Sequence, residues 1–282
     1  MHFNKDGWGD TPDIKKSPNF YTSEKTKEII ILHYTAGYKA PSAINHFLST
    51  DAKASAHFVI ETDGAIVQMV SINKGAWHAG GGIYDGRKDI NHFSIGIEIV
   101  NPGYHYKDSS DRFLNWQKKV VDPKLLAPFP GMIKAFDPWV GSETYWPEYP
   151  NEQLDALENL IKSLIQSVPT IHDIVGHKDV DTLRKKKVDP GPAFPMLRFR
   201  KLIDDRSEEK ETQFAMMVKT QGGTLNVRGG PGTSFETLTW GPLQSGDLVT
   251  VISRENEWYN IKAEKGGATQ EGWVYAKFLV SA

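Results

Sequence analysis

The stretch DDRSEEKETQ, residues 204–213, divides this chain into two patterns; it reads as a linker because the composition changes across it, with a solvated helix end as the alternative. It has no apolar period, so a helix or strand built from it would have no face to bury. Ahead of it, helical and strand periods alternate. Behind it, short β-like runs (MMVKT, TLNVR, DLVTVISR, WYNIK, EGWVYAKFLV) are separated by glycines such as Gly229, Gly230 and Gly232. With 282 residues there is room for two domains. The expected organisation is an N-terminal arm over 1–24 and an α/β domain over 25–203, with a mixed central sheet and helices packed on it. A linker over 204–214 and a small all-β barrel over 215–282 follow.

In the first domain, EIIILHYT (28–35) is a continuous apolar run, as for a strand buried on both faces. APSAINHFLST reads as a short helix, and SAHFVIETDGAIVQMV as two strands around Asp63-Gly64. HFSIGIEIVN is a further strand. Leu154, Leu157, Leu160, Ile161, Leu164, Ile165 and Val168 recur at helical spacing, with Asn151 as the expected N-cap. Between about 101 and 150 the pattern dissolves into prolines and the aromatics Tyr104, Tyr106, Trp116, Trp139, Tyr145, Trp146 and Tyr149. Two readings of that segment stand: an aromatic-pinned surface excursion, or the wall of a substrate groove.

A formal net charge of −2 gives no general reason to expect nucleic acid or an anionic membrane as partner. No stretch reaches the length of a membrane span, and MHFNKDGWGDTPDIKKSPNF lacks the apolar core of a secretory signal. The cell envelope and the cytoplasm both stay open as locations. There is no Cys, so a metal must take His, Asp or Glu.

The passage GHKDVDTLRKKKVDPGPAF sets His177 and Asp189 on either side of the basic run Arg184–Lys187, just ahead of Pro-Gly-Pro. It is either a solvated loop or a metal site built on a loop. His33 stands at the end of the apolar run IIIL, where a polar group points to a sheet rim. Glu98 lies opposite Ile95, Ile97 and Ile99, on the face that carries Gly96. A carboxylate in so apolar a strand is costly to bury alone. Two His and a carboxylate suit catalytic zinc, and equally a non-haem iron(II) triad; spacing does not choose between them.

Six motifs, IIILHYTAG, SAHFVIETDGAIVQMV, GAWHAG, SIGIEIVN, IVGHKDV and KVDPGPAF, occur in the order seen in zinc-dependent N-acetylmuramoyl-L-alanine amidases. The chain over about 25–203 resembles that broad family, which includes peptidoglycan recognition proteins and phage lysozyme-type amidases. The resemblance implies that His33, His177 and Asp189 hold Zn2+, that Glu98 is the general base, and that Lys187 sets its ammonium beside the metal. It places Trp77, His78, Thr35 and His57 as substrate-binding candidates, with a structural role as the alternative for His57. The implied reaction is hydrolysis of the amide between N-acetylmuramic acid and L-alanine of the peptidoglycan stem peptide.

TLNVRGGPGTSFETL, GDLVTVIS, EWYNIK and EGWVYAKFL resemble a bacterial SH3-like domain, which implies attachment to the cell wall. Trp258 and Trp273 read as core there. The rival readings are a recognition protein that binds muropeptides without cutting them, a delivered toxin with an immunity partner, a phage endolysin, and a cytoplasmic recycling amidase.

Overall fold

The computed structural model describes residues 1–10, 13–181, 187–203, 214–255 and 257–281. Of the linker expected over 204–214, residues 204–213 lie outside them, while Phe214 already belongs to a strand; Arg184, Lys185 and Lys186 of the basic run lie outside as well. The chain forms two compact units, Met1–Leu202 and Ile203–Ala282.

The first unit is built on a six-stranded mixed sheet. Its strands are β1 (Asp13–Ile14), β2 (Ile29–Tyr34), β3 (Phe58–Ile60), β4 (Ile66–Gln68), β5 (Ser94–Ile99) and β6 (Asp173–Gly176), in the order β1-β4-β3-β5-β2-β6. Only the β3–β4 pair, closed by the turn at Asp63-Gly64, is antiparallel; β3, β5, β2 and β6 run parallel side by side. Ile29, Ile30, Ile31 and Leu32 have no solvent exposure, as expected for a strand covered on both faces.

Alternation divides that burial. Val59 and Val67 pack with Ala40, Ile44 and Phe47 of α1 (Ala40–Leu48). Ile29, Ile31 and Val175 pack with Ala79, Ile90, Phe93 and Val180. Helix α2 (Asn151–Ser167) buries the leucine stripe, and Gln153 on it donates to the carbonyls of Ile60 and Val100. Asn151 is its first residue rather than its cap; Pro150 precedes it and offers no side-chain bond.

Residues 101–150 are more ordered than the sequence pattern indicates. They hold a hairpin of Met132–Asp137 with Ser142–Pro147, a smaller pairing of Tyr106–Lys107 with Phe113–Leu114, and a helical turn at Pro123–Leu126. The signal is weak because much of the long hairpin is solvated: Phe136 is 59% exposed and Trp146 only 1%.

In the second unit, β7 (Phe214–Val218), β8 (Leu248–Glu255), β9 (Trp258–Lys265), β10 (Ala268–Tyr275) and β11 (Leu279–Ser281) form one antiparallel sheet, ordered β10-β9-β8-β7-β11. The expected small barrel takes this form. TLNVR is not a strand of it; Leu225 and Arg228 make only isolated bridges, to Leu243, Thr237 and Trp273. Val218, Val227, Val249, Val251, Ile261 and Val274 form its core. Trp258 stands outside that cluster and lines a groove of about 600 Å³ with Tyr275 and Phe278. It alternates onto the face opposite Ile261, and Trp273, beside the buried Val274, stands outside the cluster as well, so the expectation of core tryptophans fails at both positions.

No helix among the described residues is long and apolar enough to cross a membrane.

Candidate metal centre and its cleft

Three neighbouring parallel strands bring the polar groups together. His33 is the penultimate residue of β2, and its register partner is Glu98, the penultimate residue of β5. Gly176 ends β6 opposite Leu32, so His177 follows in line with His33. The carboxyl ends of parallel strands leave a crevice where ligands bind in open α/β sheets. The site lies in such a position.

The donors converge closely. His33 Nδ1 lies 2.9 Å from His177 Nδ1, and each lies 3.1 Å from Asp189 Oδ2. All three residues are buried, and together they form a group able to hold a metal ion. A tetrahedral ion with bonds of about 2.0–2.1 Å to N and O sets its ligand atoms roughly 3.3 Å apart, close to this triangle. The chemistry of the set fits as well. Three lone-pair donors face one another, and a cation between them satisfies all three at once. Burial first, and then its neighbour His177, pull the pKa of His33 down to about 4, which keeps the ring neutral and able to ligate. Burial opposes ionisation of Asp189, but the two imidazoles beside it, His177 and His33, outweigh burial and hold the carboxyl below its usual range.

Asp189 is supported from three directions. Its carbonyl accepts from Lys178 N at 3.1 Å. Tyr149 Oη donates to the carbonyl of Pro190 at 2.8 Å. A Cβ at Gly176 would stand 2.7 Å from Pro190 Cδ, and one at Gly191 (φ +82°) would stand 2.5 Å from the Trp146 ring. Two glycines thus let the Pro-Gly-Pro turn close against β6 and against Trp146.

The triad opens into a cleft of about 450 Å³, lined also by Tyr34, Trp77, His78, Glu98, Tyr104, Trp116 and Lys187. Glu98 is partly exposed as a residue, yet its Oε2 is shut off from solvent with no hydrogen-bond partner among the described residues. Burial, then the charge of Asp189, raises its pKa well above the carboxylate range, and Lys187 opposes the shift. Lys187 is exposed, and its backbone N–H is anchored by Asp181 Oδ2.

The family model described as N-acetylmuramoyl-L-alanine amidase matches residues 23–192. The chain belongs to this amidase family. A second model, for a bacterial SH3 domain, matches residues 223–280. The 1,6-anhydro-N-acetylmuramyl-L-alanine amidase AmpD of Salmonella typhimurium is 33% identical over 161 residues, which are 57% of this chain and 63% of that protein. The N-acetylmuramoyl-L-alanine amidase AmiD of Escherichia coli is 29% identical over 177 residues, 60% of this chain and 50% of the relative. The chain therefore spans half to three-fifths of the length of these curated relatives. A crystal structure of a selenomethionine AmpD derivative aligns over 72% of this chain and 99% of that one, with 25% identity and a TM-score of 0.49.

Within the amidase unit, two of the substrate-binding candidates do not line the cleft. Thr35 turns its hydroxyl to the Gly37 carbonyl and accepts from Asn101 N. His57 is fully buried; Gly96 N donates to its Nδ1, and its Nε2 donates to the Lys74 carbonyl, so it ties β5 to the segment at Lys74. Trp77 and His78 do line it. The aromatic segment lines the cleft at one end and packs under the Asp189 turn at the other. Tyr104 and Trp116 form part of the cleft wall, with Trp116 51% exposed, while Trp146 and Tyr149 brace the Asp189 turn. Their sequence spacing carries no signal for this, because the contacts run across about forty residues of chain.

Proposed function

We propose that this protein is a zinc-dependent hydrolase that cuts the amide between N-acetylmuramic acid and L-alanine of the peptidoglycan stem peptide. The observation that carries the proposal is the triangle of His33, His177 and Asp189 donors opening into one cleft with Glu98 and Lys187. His33 Nδ1, His177 Nδ1 and Asp189 Oδ2 would hold the zinc. When bound, zinc supplies Lewis acidity that makes water a nucleophile near neutral pH and polarises a carbonyl.

The chain's own groups handle the protons and the charge. Glu98 takes a proton from the attacking water at its carboxylate and delivers it to the alanine nitrogen as the C–N bond breaks. Its buried, proton-avid setting suits that exchange, and a dication held by His33, His177 and Asp189 would bring its pKa down toward the working range. Lys187 sets its ammonium at the oxyanion that forms on the lactyl carbonyl. Trp77 and Trp116 give the cleft apolar walls for the muramyl-peptide. The bacterial SH3 domain tethers the enzyme to the wall, so the substrate is polymeric peptidoglycan as well as free muropeptides. The wall is then the site of action. A protein that only binds muropeptides needs neither the isolated carboxyl of Glu98 nor Lys187, which favours the enzymatic reading.

Zinc content and turnover on one purified muropeptide, before and after chelation, test this. Turnover should vanish with the metal, return when zinc is added back, and the fold should persist throughout. Full turnover by metal-stripped protein overturns the proposal.

A further inference from the structure

His78 lines the cleft, but its ring nitrogens are both committed elsewhere. His78 Nδ1 lies 3.0 Å from His33 Nε2, and its Nε2 lies 3.1 Å from Ser94 Oγ. Ser94, without solvent exposure, donates its hydroxyl proton to the Ile90 carbonyl at 2.6 Å. A hydroxyl has one proton to give. With that proton spent on Ile90, Ser94 Oγ faces His78 as an acceptor, so His78 Nε2 carries the hydrogen. A neutral His78 then has a bare Nδ1, which accepts from His33 Nε2–H. His33, protonated at Nε2, has a bare Nδ1, and that is the atom aimed at His177 and Asp189. Each proton position follows from the one before, starting at a backbone carbonyl.

The ring is also held in place sterically. A Cβ at Gly96 would stand 2.3 Å from His78 Cγ and 2.5 Å from its Nδ1. Gly96 is thus the socket in β5 on which the imidazole lies. Asn91 Oδ1 accepts from the backbone N–H groups of His78 and Ala79, fixing the segment from the other side.

We propose that His78 is a positioning residue of the metal centre. Through the chain Ile90 carbonyl–Ser94–His78–His33, it locks His33 in the Nε2–H tautomer and so presents a lone pair at Nδ1 to the ion. The proposal rests on the reading of His33 as a metal ligand, and it deepens that reading: a residue expected to touch substrate instead sets the state of a ligand. Groups that orient metal-binding imidazoles typically change metal affinity by about 10–100-fold when removed.

The test uses the full chain in two measurements. Two-bond 1H–15N correlation spectra of metal-free, 15N-labelled protein report the tautomer of each imidazole, independently of metal and turnover. Competition with a chromophoric chelator gives the zinc affinity. Wild type should show His33 as the Nε2–H tautomer. His78→Phe, which removes the acceptor, should lose that tautomer and weaken zinc about 10–100-fold. His78→Asn, whose Oδ1 can stand where Nδ1 stood, should retain both. If His78→Phe does not fold, Ser94→Ala removes only the hydroxyl that directs the chain, and it should shift the tautomer in the same direction. The proposal is overturned if wild-type His33 carries its proton on Nδ1, or if both His78→Phe and Ser94→Ala keep wild-type tautomer and affinity. A wild-type Nε2–H tautomer with no zinc binding supports the relay and instead removes the metal reading.

Discussion

At the scale of single residues, two carboxylates of the cleft should fail in different ways when changed. Asp189→Ala removes a proposed ligand, so zinc content and turnover should fall together. Glu98→Gln keeps the shape and loses the base. Zinc should stay near stoichiometric while turnover drops about 10²–10⁴-fold, the usual share of general acid–base catalysis. Metal analysis beside turnover on a single muropeptide separates the two, and a fully active Glu98→Gln would return Glu98 to the rank of a strand residue. Lys27 makes a different kind of prediction. It is 3% exposed, bonds the His92 carbonyl, and burial pulls its pKa down to about 7. The unfolded chain holds that proton up to a pKa of about 10.4. Between those values the unfolded state binds more protons, so stability rises with pH across roughly 7 to 10, and the full cost falls below pH 7. Lys27→Met should therefore raise the melting temperature over wild type most at pH 6, with the gap closing by pH 10. A gap independent of pH would mean that the buried amine is charged at all these values.

The elements were partly legible in the sequence. The IIIL run, the Asp63-Gly64 hairpin and the leucine stripe of α2 carry their structure in local periodicity, and each forms where expected. The hairpin over 132–147 does not, because its exposed face alternates with a contact made far away in sequence: Trp146 packs beside Gly191. The same physics divided the site. His33 and Glu98 could be singled out because a polar group in an apolar strand is conspicuous. Tyr149, Trp146 and Gly191 could not, since only the folded chain brings them to the Asp189 turn. Their support is testable. Gly191→Ala places a side chain in a left-handed conformation and against an indole ring, a combination costing about 1–3 kcal/mol. The melting temperature should fall by several degrees, and zinc affinity should weaken with it. Unchanged zinc affinity in a destabilised variant would mean that Asp189 does not depend on the turn for its position.

For the whole molecule, the division into Met1–Leu202 and Ile203–Ala282 lets the proposed chemistry and the proposed tethering be tested apart. A chain ending at Ile203 should fold, cleave soluble muropeptides at the full-length rate, and sediment less with purified sacculi, since one of two tethered contacts is lost. Equal sedimentation would assign the SH3 domain another role. The change of pattern at 204–213 stood in the composition, whereas the groove at Trp258, Tyr275 and Phe278 did not, because Leu225, Asn226 and Arg228, thirty or more residues earlier in the chain, complete it. The most direct test of the central claim is mass spectrometry of purified sacculi after digestion by zinc-loaded protein. The expected products are stem peptides with a free L-alanine amino group and glycan strands whose lactyl carboxyls are newly free. Products cut within the glycan or between peptide residues, with the lactyl–alanine amide intact, would contradict it.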